Sequence, residues 1–149
     1  MIFQLAACRR WRLWKADVKA AFLQGQELDG KPKFILPVPE LAQASGVPEG
    51  TPLRLIKAAY GLCQAPKAWY DAVNTLLVQL GGRQSLADPC VWIFQRSGRS
   101  IGVVGTHVDD FLITGDESSK EWQEIIKKIN NRDIRVEVNR DIRVGTAFA

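Results

Sequence analysis

The residues best suited to chemistry are two adjacent aspartates inside a mostly apolar stretch. Asp109 and Asp110 interrupt residues 101–115, where the other side chains are mainly small or aliphatic. Two neighbouring carboxylates in a water-excluded strand are costly unless they are neutralised, and a divalent metal ion is the usual partner for oxygen ligands. At the solvent-exposed tip of a hairpin that cost disappears. Asp is also common in turns, because it tolerates turn conformations well. The pair alone leaves both a metal site and a plain turn open.

A third carboxylate, Asp17, favours the metal site. Residues 11–17 alternate large apolar and charged side chains, as a half-buried strand does, so Asp17 lies at a strand end. Neighbouring strands lie about 4.8 Å apart, so this carboxylate can face the hairpin tip and share an ion with it. Two ions about 3.5–4 Å apart are suited to in-line phosphoryl transfer. Consecutive residues in extended backbone point to opposite faces, and we favour Asp109 over Asp110 as the residue that serves both ions.

Short strands and two amphipathic helices must position these carboxylates. The first helix is predicted from Pro66 to about Leu80 and the second after Ser118, which has capping-box spacing to Glu121. Apolar residues of the first helix recur on one face: Trp69, Val73, Leu76, Leu77 and Leu80. Strands are predicted at residues 33–36, 53–57, 91–94, 101–104 and 111–114. Hairpin-linked strands with two such helices predict an α+β fold, an antiparallel sheet with helices packed on one face.

The composition is typical of one globular domain. A chain of 149 residues with 46% hydrophobic side chains can bury a sizeable core, and its net charge of +4 permits contact with a polyanion without requiring it. A basic cluster near the start is interpreted as a solvated edge; it comprises Arg9, Arg10, Arg12, Lys15 and Lys19. No apolar run approaches the roughly 20 residues of a membrane span. Three isolated cysteines fit a reducing, intracellular setting, in the cytoplasm or the nucleus.

Four blocks of the sequence, in order, resemble the reverse transcriptase domain of copia-type retrotransposons. They are residues 14–25, 59–70, 87–90 and 107–110, the last reading His-Val-Asp-Asp. The resemblance implies a reverse transcriptase palm with partial fingers over residues 1–130, acting as an RNA-directed DNA polymerase with two Mg²⁺ ions, or Mn²⁺ in their place. The implied partners are an RNA or DNA template with its primer, deoxynucleoside triphosphates and the rest of the retroelement polyprotein.

The resemblance also implies the metal ligands. Asp17, Asp109 and Asp110 match the catalytic metal-binding aspartates, and the Val18 carbonyl is an additional ligand candidate. His107 stands where family members usually have Tyr, and we expect it to line a groove rather than bind a metal ion.

Four further residues are implied to contact the substrate. Phe22 matches the aromatic residue that lies under the nucleotide sugar and excludes a 2′-hydroxyl, with a plain core Phe as the alternative. Tyr60, Gly61 and Gln64 match the segment that faces the incoming nucleotide and the template. Within the same block, we interpret Trp69 as structural.

Residues 131–149 are assigned to a tail outside the family, in which the hexapeptide Asn-Arg-Asp-Ile-Arg-Val occurs twice, at residues 131–136 and 139–144. Because the chain starts close to the first catalytic strand, we expect the upstream fingers, the thumb, ribonuclease H and integrase to lie outside it. Two other functions stay open. One is a catalytically inactive remnant that binds nucleic acid or a partner, and the other is a different two-metal palm enzyme such as a nucleotide cyclase, which the block at 59–70 disfavours.

Overall fold

A six-stranded antiparallel sheet forms the centre of the computed structural model, which describes residues 2–28, 30–131 and 136–142. The helices are α1 (Ile2–Arg9), α2 (Pro39–Ala44), α3 (Ala65–Gln79) and α4 (Lys120–Asn131), with a short 3₁₀ helix at Ala21–Gln24. The strands are β1 (Leu13–Val18), β2 (Lys33–Ile35), β3 (Leu53–Leu55), β4 (Gly82–Gln84), β5 (Val91–Arg96), β6 (Arg99–His107), β7 (Asp110–Gly115) and β8 (Val136–Ile142). The sheet order is β4-β5-β6-β7-β1-β8, and β2 pairs with β3 in a separate hairpin. The α+β class is confirmed, and so are the six predicted strands, including the one at residues 11–17, although their ends differ by a few residues.

Helices α3 and α4 cover one face of the sheet, because each carries an apolar stripe at helical spacing. The predicted stripe of α3 is buried, and with α4 it packs on inward-facing residues of four strands. These sheet residues are Ala16, Val18, Trp92, Phe94, Val104, Phe111 and Ile113. The core that supports the strand ends therefore lies between the two helices and the sheet.

Trp122 of α4 sits over a depression made by two glycines. Gly102 and Gly115 are partners across β6 and β7, so both lack a side chain at the same place on the sheet. A Cβ at Gly102 would lie 2.3 Å from the Trp122 ring, and one at Gly115 would lie 2.2 Å from it. The indole is 3% exposed and packs edge-on against Phe94, which fixes α4 over the end of the hairpin opposite the aspartates.

The expectation that helices pack on one face only is wrong, because α1 lies against the other face. Ala6 is buried, and Ile2 comes so close to Gly105 that a Cβ there would lie 2.4 Å from its Cδ1. Residues 1–8 are apolar but too short to show a clear helical period, which is why the sequence did not predict this helix.

The predicted capping box of α4 is also wrong by one residue. The Ser119 hydroxyl accepts a hydrogen bond from the Trp122 N–H at 3.3 Å and donates to Glu121 at 2.9 Å. Ser118 instead donates its hydroxyl to Asp116 at 2.6 Å, closing the turn before the helix. Either of two adjacent serines could serve as the N-cap of α4. Ser119 does so because the Ser118 hydroxyl is bonded to Asp116.

Strand β1 lies between β7 and β8, so residues near the start of the chain occupy the interior of the sheet. Val18 at the end of β1 pairs with Val136 of β8. The sequence did not predict β8, which includes residues 139–142 of the second hexapeptide copy. Half of the two copies, residues 132–135 and 143–144, lies outside the described residues. In the part of the chain that is described, no helix is long and apolar enough to cross a membrane.

Candidate active site

Asp17 and Asp110 face each other across two neighbouring strands. The antiparallel register of β1 and β7 pairs Asp17 with Asp110 and Lys15 with Leu112. Side chains alternate along β1, and Ala16 and Val18 belong to the helix-covered core, so Lys15 and Asp17 lie on the opposite face. The sheet thus brings together carboxylates from distant parts of the sequence, as predicted from the strand end and the hairpin.

Lys15 joins this group through an ion pair that sequence reasoning missed. Its Nζ lies 2.8 Å from Asp110 Oδ1, and both side chains are a little under half exposed. The hydrogen bond to Asp110 and the charges of Asp110, Asp17 and Asp109 raise the pKa of Lys15 above its usual value. Lys15 is exposed, as the interpretation of the basic cluster as a solvated edge requires, but that interpretation did not predict its ion pair. The available signal was its spacing, since residues two apart in a strand share a face.

The aspartate pair sits at the turn between β6 and β7. Val108 and Asp109 form the two-residue loop, and His107 pairs with Asp110 on either side of it. Because Asp109 lies in the turn, the extended-backbone argument about opposite side-chain directions does not apply to it. Its carbonyl accepts a hydrogen bond from the Val18 N–H at 3.0 Å, which ties the turn to the end of β1.

The oxygen atoms at the end of β1 and the β6–β7 turn suit a hard divalent cation, because carboxylate and carbonyl oxygens are the ligands that Mg²⁺ prefers. Asp17, Asp109 and Asp110 supply the carboxylates, and Val18 ends β1 beside them. Among the described residues, however, no three Asp, Glu, His or Cys side chains are arranged to hold one ion as they stand. The Lys15 amine, bonded to Asp110, acts as the counter-ion in this arrangement.

Two of the residues implied to contact substrate also meet. The rings of Phe22, in the 3₁₀ helix, and Tyr60 lie 4.9 Å apart at 59°. Phe22 is half-buried and packs on the core, while Tyr60 is 62% exposed, so the pair has one anchored ring and one open ring. Gly61 (φ 90°) and Gln64 are exposed in the connection that leads into α3.

A cavity of about 390 Å³ lies beside Asp110, under α1. His107 is exposed and lines it together with Lys15 and Asp110, in agreement with the expected groove-lining role. The block at residues 87–90 forms another wall of this cavity through Asp88 and Cys90. Its turn is held by a hydrogen bond from the Cys90 N–H to the Asp88 carboxylate at 2.8 Å. The Tyr70 ring packs on the core, and its hydroxyl donates to the Pro89 carbonyl at 3.0 Å.

The chain is similar to proteins of plant retrotransposons. A family model described as reverse transcriptase (RNA-dependent DNA polymerase) matches residues 1–136. The chain is 37% identical over 118 residues to the retrovirus-related Pol polyprotein from transposon RE2 of Arabidopsis thaliana, and 35% identical over 121 residues to that from transposon RE1. It is 31% identical over 116 residues to the Pol polyprotein from transposon TNT 1-94 of Nicotiana tabacum.

These matches cover 78–79% of this chain but only 8% of each polyprotein, so the chain corresponds to a small part of its curated relatives. The four sequence blocks, the carboxylates at the ends of β1 and β7, and the family match agree with one another. The chain belongs to the reverse transcriptase family of copia-type retrotransposon Pol polyproteins.

Proposed function

We propose that this chain is the palm of an RNA-directed DNA polymerase that adds deoxynucleotides to a primer 3′-hydroxyl with the help of two divalent metal ions. The observation that carries the proposal is the pairing of Asp17 with Asp110 across β1 and β7, next to the Asp109 turn. Three carboxylates at the ends of neighbouring strands are the donor set that two-metal phosphoryl transfer needs.

The three aspartates have different surroundings, which suggests different roles. Asp110 already has a counter-ion in Lys15, whereas no ion pair is recorded for Asp17 or Asp109 among the described residues. We therefore keep Asp109 rather than Asp110 as the residue that would serve both ions, with Asp17 and the Val18 carbonyl as further ligands. When bound, Mg²⁺ or Mn²⁺ lowers the pKa of the primer hydroxyl and stabilises charge on the leaving pyrophosphate.

Phe22 is proposed to select the nucleotide sugar, and Tyr60, which packs against it, is proposed to face the incoming nucleotide. The half-buried Phe22 ring cannot move away easily, because it packs on the core and on Tyr60. A fixed ring beside the sugar excludes a 2′-hydroxyl by steric contact. Gly61 and Gln64, exposed in the next turn, are proposed to approach the base and the template.

Primer extension by a full-length Pol polyprotein carrying this sequence tests the proposal. We expect Asp17→Asn or Asp109→Asn to lower the extension rate by at least about a hundredfold, because each removes a negative charge from the metal ligands. Asp110→Asn is expected to be at least as well tolerated as Asp109→Asn, because Lys15 already neutralises Asp110 in part.

Asp71→Asn is the matched control, since Asp71 lies on α3 and pairs with Lys67 rather than with the site. It should extend primers at the wild-type rate. Near-wild-type extension by Asp17→Asn or Asp109→Asn would refute the assignment of the ligands. If Asp110→Asn is the most damaging variant, the bridging role belongs to Asp110.

A further inference from the structure

The turn that carries Asp109 contains a backbone conformation that needs external support. Val108 has φ 55°, in the left-handed region that β-branched residues rarely adopt. Such a residue is strained and persists only where its surroundings enforce it. A two-residue hairpin turn with positive φ at its first position normally has Gly there.

Packing of the Val108 side chain does not supply this support, because that side chain is 50% exposed. The backbone supplies it instead. The Val108 carbonyl accepts a hydrogen bond from the indole N–H of Trp69 at 2.6 Å, and the next carbonyl, that of Asp109, accepts one from Val18. The turn is therefore attached on one side to α3 and on the other to β1.

Trp69 is itself held firmly. It is 2% exposed, in the core between α3 and the sheet. Gly25 passes so close to α3 that an added Cβ would lie 3.0 Å from the Trp69 backbone nitrogen, and the Gln26 N–H donates to the Ala68 carbonyl at 3.1 Å. The indole is thus a rigid donor aimed at the turn.

We propose that Trp69 is a positioning residue: its indole N–H holds the Val108 carbonyl and so keeps Asp109 and Asp110 in the geometry that binds metal ions. The part that concerns metal ions rests on the proposed function. The part that concerns the turn does not, and the two are measured separately. Trp69 acts through the turn and contacts no substrate.

The test compares two variants of the 149-residue chain that lose the same chemical group. Trp69→Phe keeps an aromatic ring and removes the donor to Val108. Trp92→Phe is the matched control, because Trp92 is fully buried and its indole N–H donates to Asn74 at 3.0 Å, away from the turn. Both variants lose one buried indole hydrogen bond, so a general loss of stability affects them alike.

The first readout is NMR hydrogen exchange, which needs no metal ion. In Trp69→Phe we expect the backbone amides of residues 108–110 to shift and to exchange about three- to tenfold faster, the range that one hydrogen bond supports. In Trp92→Phe these amides should keep their wild-type positions and rates. Equal changes in both variants, or unchanged turn amides in Trp69→Phe, would overturn the proposal.

If Trp69→Phe does not fold, the wild-type chain decides the question. The Trp69 indole proton should then exchange as slowly as the turn amides, and a fast-exchanging indole proton would show that the hydrogen bond does not hold the turn.

The second readout is Mn²⁺ affinity, measured by electron paramagnetic resonance. Trp69→Phe should bind Mn²⁺ about three- to tenfold more weakly than wild type, and Trp92→Phe should bind within about twofold of it. Altered turn amides with unchanged Mn²⁺ affinity would refute the effect of Trp69 on metal binding. Absence of Mn²⁺ binding by the wild-type chain would count against the proposed function, while the exchange comparison would still judge the role of Trp69 at the turn.

Discussion

At the scale of single residues, Lys15 is the group that most changes how the site is understood. Its amine occupies the Asp110 carboxylate that a metal ion would use, so cation and amine compete for the same oxygen. We expect Lys15→Met to raise the Mn²⁺ affinity of the chain about two- to fivefold, the range typical of a partly exposed ion pair. Calorimetric titration of Mn²⁺ measures this.

Lys128→Met is the control for Lys15→Met, because it removes the same charge from the exposed last turn of α4. Its Mn²⁺ affinity should equal that of wild type. Unchanged or lower affinity in Lys15→Met would show that the amine does not compete with the cation.

Phe22 makes a second prediction at this scale. In a full-length Pol polyprotein, Phe22→Val should increase incorporation of ribonucleotides relative to deoxynucleotides by about ten- to hundredfold, because a smaller side chain opens space beside the sugar. Single-nucleotide incorporation assays with the two nucleotide types measure the ratio. Phe34→Val, at an exposed position of β2, should leave the ratio unchanged. The same ratio in Phe22→Val and wild type would make Phe22 a core residue only.

At the scale of elements, the contact of α4 with the β6–β7 hairpin predicts that Gly115→Ala changes stability in opposite directions with and without the Trp122 ring. Gly115→Ala should destabilise the chain by about 1–3 kcal/mol, because its Cβ would overlap the Trp122 ring. With Trp122→Ala already present the ring is gone, and Gly115→Ala should then stabilise by about 0.5–1 kcal/mol, the usual advantage of Ala over Gly in a strand. Urea denaturation of the wild type, the two single variants and the double variant measures both values. Equal destabilisation in the two backgrounds would contradict the assigned contact.

The sequence predicted the elements whose pattern is local. Apolar side chains recur at helical spacing in α3, from Trp69 to Leu80, and short apolar runs flank a turn in the β5–β6 hairpin. Both elements therefore follow from residues that are close together in the sequence. It did not predict α1, β8 or the serine that caps α4, because these depend on which distant surface is left to cover. The site divides in the same way. Asp17 and the aspartate pair were recognisable by type and position, whereas the Lys15 ion pair and the Trp69 hydrogen bond exist only once β1, β7 and α3 are packed together.

At the scale of the whole molecule, we expect the 149-residue chain alone to bind primed template weakly and to show no processive synthesis. Phosphoryl transfer depends on positioning, and a displacement of about 1 Å can cost on the order of a hundredfold in rate. A net charge of +4 allows few phosphate contacts, so binding should weaken about tenfold or more between 50 and 200 mM salt. Filter binding and primer extension with Mg²⁺ measure the two properties. Extension over many nucleotides would show that this part suffices for polymerisation.

The interior position of β1 also sets the order of events during biosynthesis. Asp17 leaves the ribosome before its partner strand β7, which follows about 90 residues later. At about 5–20 residues per second this means a wait of roughly 5–20 s. Throughout that interval β1 has two unpaired edges, and its charged residues Lys15 and Asp17 oppose pairing with other nascent chains. Asp17, a proposed metal ligand, and Lys15, its neighbour at the site, thus also protect the strand before it is paired. The candidate site can form only after the β6–β7 hairpin has been made.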